Sequence, residues 1–170
     1  MKFYYTLSKE IYEGTICVEE DTSVIFEELE KNQDFGYTIS LGGNWRYLMD
    51  VSCRTGQCGA VSCFLEGADV LEEKLAIPGH KRGKVYFEDD EEMTKGSGTM
   101  YFPFENKCYY DKKKNILCIG NPYLQGETIE FVSNIYAVIN GDRLIAIFMV
   151  LTSLKEVVTI CKGQFHGIFS

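Results

Sequence analysis

The chain has 170 residues, 45% of them hydrophobic and 14% aromatic, with 25 acidic against 17 basic side chains and a formal net charge of −8. One domain of this size buries about 70% of its unfolded surface, so a disordered chain is excluded and no disulfide staples are needed. The acid excess repels nucleic-acid phosphate and permits a basic protein as partner, although plain solubility is the simpler explanation of the same charge.

In chain order, Lys2 to Ser8 and Gly14 to Glu20 read as strands, rich in β-branched and aromatic residues. Asp21 to Lys31 reads as a helix, with Asp21 as N-cap, Asn32 past the end and Val24, Ile25 and Leu29 as a partial stripe. A strand follows at Tyr37 to Leu41, then the pair Trp45–Cys53 and Cys58–Glu66. Asp69 to Ala76 carries a capping pattern, Asp69 with Glu72, and predicts two helical turns stopped by Pro78 and Gly79. Strands are predicted at Lys84 to Glu88, Thr99 to Phe104, Lys107 to Tyr110 and Ile116 to Ile119.

The runs ETIEFVSNIYAVI and RLIAIFMVLT flank Asn140-Gly141-Asp142, a strong hairpin cue because Asn and Gly tolerate positive φ. Both faces of that pair are apolar, which predicts a central position covered on both sides. Ser153 to Glu156 is a capping box that predicts a closing helix to Lys162, ended by Gly163. The expected fold is therefore α+β, mostly β. It is a single domain over residues 1–170, with one antiparallel sheet, curled or partly closed, and two or three short helices packed on it. A β-sandwich is the alternative.

The longest purely apolar run, Leu144 to Leu151, has eight residues, whereas a membrane-spanning helix needs about 20. The N-terminal stretch lacks the apolar core and cleavage site of a signal peptide. A cytoplasmic protein without membrane contact is expected, and its seven cysteines are read mainly as free, buried thiols.

Three cysteines, Cys53, Cys58 and Cys63, crowd into VSCRTGQCGAVSCF. A hairpin around Arg54-Thr55-Gly56-Gln57 would pair Cys53 with Cys58, Val51 with Ala60, Met49 with Ser62 and Tyr47 with Phe64. Trp45, Tyr47, Met49, Val51 and Phe64 would then share one face. In that register Cys58 and Cys63, five apart, point to opposite faces, so three sulfurs cannot converge on zinc without a bulge. Cys53 and Cys58 are placed to form a redox pair, the simpler reading being two free thiols at a hairpin mouth, since cross-strand bridges are usually strained.

His80 and His166 lack any local catalytic signature, and no nucleophile elbow, phosphate loop or zinc-protease motif occurs. No catalytic residue, metal or cofactor is therefore expected. The acidic run Glu88, Asp89, Asp90, Glu91 and Glu92 is the densest charge feature, with Tyr86 and Tyr101 flanking it in sequence. Its bland reading is a solvated loop; its functional reading is a docking surface in which charge steers approach and aromatics anchor. The leading expectation is a non-enzymatic acidic binding protein, similar in size and charge to bacterial immunity proteins, that inhibits a basic nuclease or toxin. The alternatives are a small-molecule binder with an apolar pocket lined by Trp45, Tyr47 and Phe64, and a cysteine-dependent enzyme using Cys53 or Cys58.

Overall fold

The computed structural model describes residues 1–18, 23–28, 35–43, 45–89, 99–151, 160–161 and 164–165. Among these residues every regular element is a strand. The first half contains β1 (Lys2–Leu7), β2 (Gly14–Val18), β3 (Ser23–Glu28), β4 (Phe35–Leu41), β5 (Tyr47–Ser52), β6 (Cys58–Phe64), β7 (Val70–Glu72) and β8 (His80–Glu88). The second half contains β9 (Thr99–Phe102), β10 (Cys108–Asp111), β11 (Ile116–Gly120), β12 (Glu127–Val132), β13 (Ile135–Asn140), β14 (Arg143–Val150), β15 (Ile160–Cys161) and β16 (Gln164–Phe165).

Two large sheets result. One has eight strands in the order β1-β8-β12-β13-β14-β11-β10-β7, the other six in the order β2-β3-β6-β5-β4-β9. Three parallel pairings, β8–β12, β7–β10 and β4–β9, make both sheets mixed. This corrects the expected single antiparallel sheet with helices. Parallel partners are joined by long connections rather than tight turns, and such pairing leaves no local mark on the sequence. The eight-stranded sheet also curls on itself, since Phe3 N donates to Asp142 O at 2.8 Å.

The inner faces meet in one apolar core. Phe3 of β1 lies 5.2 Å from Phe87 of β8 and 4.9 Å from Phe102 of β9, so its ring bridges the two sheets. Tyr47 of β5 is buried and shares a hydrogen bond with the thiol of Cys108 in β10, a polar tie across the interior. Burying aromatic area on this scale is the main stabilising term, at about 25 cal/mol per Å² of apolar surface.

Each predicted helix is corrected where it is described. Ser23–Glu28 of the first is β3, paired with β2 from Val18↔Val24 to Gly14↔Glu28. The run Val24-Ile25-Phe26 is stiff and β-prone, and burying Val24 and Phe26 on alternate positions outweighs a partial helical stripe. The rest of that helix, and 153–159 and 162 of the last one, lie outside the described residues. Ile160–Cys161, expected in the closing helix, instead pairs with Gln164–Phe165.

The second helix, Asp69 to Ala76, is replaced by β7 and a crossing segment, 73–79. Leu75 and Ile77 of that segment cover an outer apolar cluster of Tyr109, Cys118, Tyr136, Val138 and Phe148. The segment is pinned by Asp111, whose Oδ2 accepts Leu75 N–H at 2.9 Å, while Lys114 Nζ donates to Leu75 O at 2.8 Å. The cap pattern lost because Leu75 gains burial and a long-range carboxylate partner.

The central hairpin forms as β13 and β14, with Asn140 opposite Arg143 and Gly141 at φ 63° in the turn. Both faces of β13 are buried, with Ile135, Ala137 and Ile139 on the inner side and Tyr136 and Val138 on the outer. The run before it divides into β12 and β13, because Asn134 takes a positive φ of 64° and turns the chain back.

Candidate functional site

The tip of the cysteine hairpin and the end of β8 come together. Gly56, at φ 72°, donates to Ser52 O at 2.8 Å, and its own carbonyl accepts Phe87 N–H at 2.8 Å. Gln57 forms a bridge to Tyr86. A side chain at position 56 would stand 2.5 Å from Phe87 O, so only glycine permits this approach. Two stretches singled out in the sequence, the thiol hairpin and the start of the acidic run, thus share one end of the molecule.

The hairpin register differs from the expected one. Tyr47 faces Cys63, Leu48 faces Ser62, Met49 faces Val61 and Val51 faces Cys58, with a bulge between the last two pairs. The bulge puts two residues of β6 against one of β5 and resets the alternation. Cys58 and Cys63 therefore both point into the core, each fully buried, rather than to opposite faces. Phe64 turns outward at 38% exposure, and Trp45, at φ 60° in the preceding turn, is 62% exposed. Trp45, Tyr47 and Phe64 consequently do not line a common pocket.

Cys53 lies beyond β5, exposed, with its sulfur against Gly36. Both Cys53 and Cys58 are free thiols. Burial pushes the Cys58 thiol well above the ordinary range, which leaves it protonated and a poor nucleophile. Cys63 is raised by burial and by the nearby Cys108, itself pushed up to about 12 by burial. Among the described residues no three metal-ligating side chains converge.

Sequence reasoning missed Tyr37. Its hydroxyl is buried and has no hydrogen-bond partner among the described residues, and its electrostatic neighbours are Cys58, Asp89 and Cys53. Burial first, then those neighbours, raise the phenol, so it stays a neutral donor. No signal in FGYTIS distinguishes it from any other strand tyrosine; only the fold brings β4, the hairpin and the end of β8 together.

On the outer face of the β1–β8 pair, three cross-strand pairs form a ladder: Lys2 opposite Glu88, Tyr4 opposite Tyr86 and Thr6 opposite Lys84. The Tyr4 and Tyr86 rings stack at 5.1 Å with 11° between planes, and Tyr4 is 42% exposed. Lys2 Nζ lies 3.3 Å from Glu88 Oε2 with both side chains open to water, a contact worth little in solution. Asp89 follows, half-buried, while Asp90, Glu91 and Glu92 lie outside the described residues.

Tyr101 is elsewhere. It projects from the edge strand β9 of the six-stranded sheet, 57% exposed, with its ring over Gly43. Its neighbour Phe102 faces inward to Phe87, so Tyr86 and Tyr101 lie on the outer sides of different sheets. His80 opens β8 with its ring 4.8 Å from Tyr136, and His166 is outside the described residues. Among the described residues no helix is long and apolar enough to cross a membrane.

Compared with known proteins, the chain matches no family model and no curated relative.

Proposed function

We propose that this is a non-enzymatic acidic binding protein that docks on a basic protein partner through the end of β8. One observation carries the reading: Glu88 and Asp89 emerge beside the stacked Tyr4–Tyr86 pair, so carboxylate and exposed aromatic surface adjoin. Charge of this kind accelerates encounter, and a stacked aromatic pair offers rigid contact area at little entropic cost. In its most specific form the protein is an inhibitor of the immunity type. Its carboxylates would occupy a cleft that otherwise takes phosphate, as in a nuclease or toxin. The buried, protonated thiols weigh against cysteine catalysis by Cys58. Cys17, Cys53, Cys58, Cys63, Cys108 and Cys118 are free thiols, which is compatible with the expected reducing, cytoplasmic setting.

The test is affinity capture from the source cell with identification of the bound protein. Wild type is compared with a variant carrying Glu88→Gln, Asp89→Asn, Asp90→Asn, Glu91→Gln and Glu92→Gln. A control neutralises Glu66, Asp69 and Glu72, exposed residues at and beyond the other end of β6. The expected result is a basic partner that elutes with salt, is lost by the first variant and is kept by the control. Undiminished capture by the first variant removes the β8 end from the interface.

A further inference from the structure

Three loops enclose a half-open cavity of about 340 Å³ beside the β13–β14 turn. Its size is at the lower end of the about 300–1,000 Å³ common for small-ligand sites. Phe104, Leu124, Leu144 and Ile145 supply apolar wall. The loops are fastened to one another. Asn121 Nδ2 donates to Glu105 Oε2 at 2.9 Å, joining the β11–β12 and β9–β10 connections. Asn140 Nδ2 donates to Gln125 O at 3.0 Å, joining the β13–β14 turn to the β11–β12 connection. Asn121 N–H in turn donates to Ile145 O at 2.9 Å. The cavity is thus pre-formed rather than a gap between loose loops.

Its electrostatics are asymmetric. Glu105 is already held by Lys107 Nζ at 3.0 Å and by Asn121. Arg143 also lines the cavity, and among the described residues no carboxylate pairs with it. On a chain with 25 acidic residues, Arg143 is an exposed guanidinium that lines the cavity beside Leu144 and Ile145 and can engage an anion there. A planar fork of N–H donors fits a carboxylate in two-point contact, and the flat ring of Phe104 fits an aromatic body.

We propose that this cavity binds a small aromatic carboxylate, with Arg143 holding the carboxylate and Phe104, Leu124 and Leu144 covering the ring. The site is independent of the docking surface on β1 and β8, and neither stands or falls with the other.

Isotope-labelled full-length protein is titrated with benzoate and phenylacetate, with benzamide and phenylacetamide as neutral counterparts and inorganic phosphate as an anion lacking an apolar body. Expected are saturable amide shifts confined to Phe104, Asn121, Asn140 and Ile145. The acids should bind about tenfold more tightly than the amides, as a charge-assisted two-point contact implies. Arg143→Gln should bring the acids down to the level of the amides and leave the amides unchanged, and Arg143→Lys should fall between. Arg143 is exposed, so both variants keep the fold, which the remaining resonances report. Absence of saturable shifts, equal binding of acid and amide, or indifference to Arg143→Gln overturns the site. Phosphate binding as tightly as phenylacetate overturns the ligand class.

Discussion

Removing the Asp111 carboxylate should release the segment that covers the outer apolar cluster. Asp111 is only 5% exposed, and its two oxygens serve three backbone donors. Oδ2 takes Leu75 N–H at 2.9 Å; Oδ1 takes Lys113 N–H at 2.9 Å and Lys114 N–H at 3.1 Å. In Asp111→Ala the lysine amides sit in an exposed turn and can bond water, whereas the Leu75 amide is left buried. A charged hydrogen bond lost with a buried donor costs about 1.5–3 kcal/mol, and the loosened turn adds a fraction more. The expected total is about 3 kcal/mol, or roughly 6–12 °C in Tm for a chain of this length. Thermal unfolding followed by circular dichroism measures it, and hydrogen exchange should show protection lost at Leu75 before the β13–β14 core. Burial alone would raise the Asp111 carboxyl, but the three amides and the Lys114 charge bring it below its ordinary 3.8. A carboxyl lowered in the folded state stabilises above its unfolded value and ceases to do so as pH falls through the folded one. The gap between wild type and Asp111→Ala should therefore be widest at neutral pH and narrow as pH falls below about 4. An unchanged Tm at neutral pH, or a gap that persists undiminished in acid, refutes this account of the segment.

Iodoacetamide at neutral pH should label Cys53 readily, while Cys58, Cys63, Cys108 and Cys118 react only on unfolding, because burial keeps all four protonated and covered. Mass mapping of the adducts reports it, and labelling of Cys58 as fast as Cys53 would count against the buried assignment. Gly56→Ala forces a side chain into positive φ and onto Phe87 O, at a cost of about 3 kcal/mol. Urea denaturation measures that loss; a variant as stable as wild type would mean that the hairpin tip does not rest on β8.

Strand content was legible where alternation or turn chemistry is local. Asn140-Gly141 announces its hairpin because positive φ selects Gly. The doubly apolar β13 announces a central strand because both of its faces are buried. What failed was everything settled by distant partners. DTSVIFEELEK carries a helical cap and a partial stripe, yet Val24 and Phe26 find β2 and β6. Leu75 looks helical until Asp111, 36 residues away, takes its amide. The hairpin around Gly56 was legible as a hairpin but not in register, because the bulge in β6 responds to packing of Cys58 and Cys63 in the core and no residue there demands it. The meeting of Tyr37, Cys53, Cys58 and Asp89 was hidden for the same reason: each comes from a different turn or strand end.

Both proposed binding surfaces adjoin β1, whose Lys2 reaches Glu88 and whose Phe3 N–H donates to Asp142 O, next to Arg143, yet they act independently. They differ in the range over which they act. Docking by several exposed carboxylates depends on summed long-range attraction, screened over about 8 Å at physiological ionic strength, and should weaken steeply with salt. A single carboxylate at Arg143 is held by short hydrogen bonds and an apolar wall, inside a protein whose net charge of −8 opposes its approach. Added salt relieves that opposition while it weakens the contact, so binding in the cavity should change little with ionic strength. Salt titration therefore separates the two surfaces even though one strand touches both.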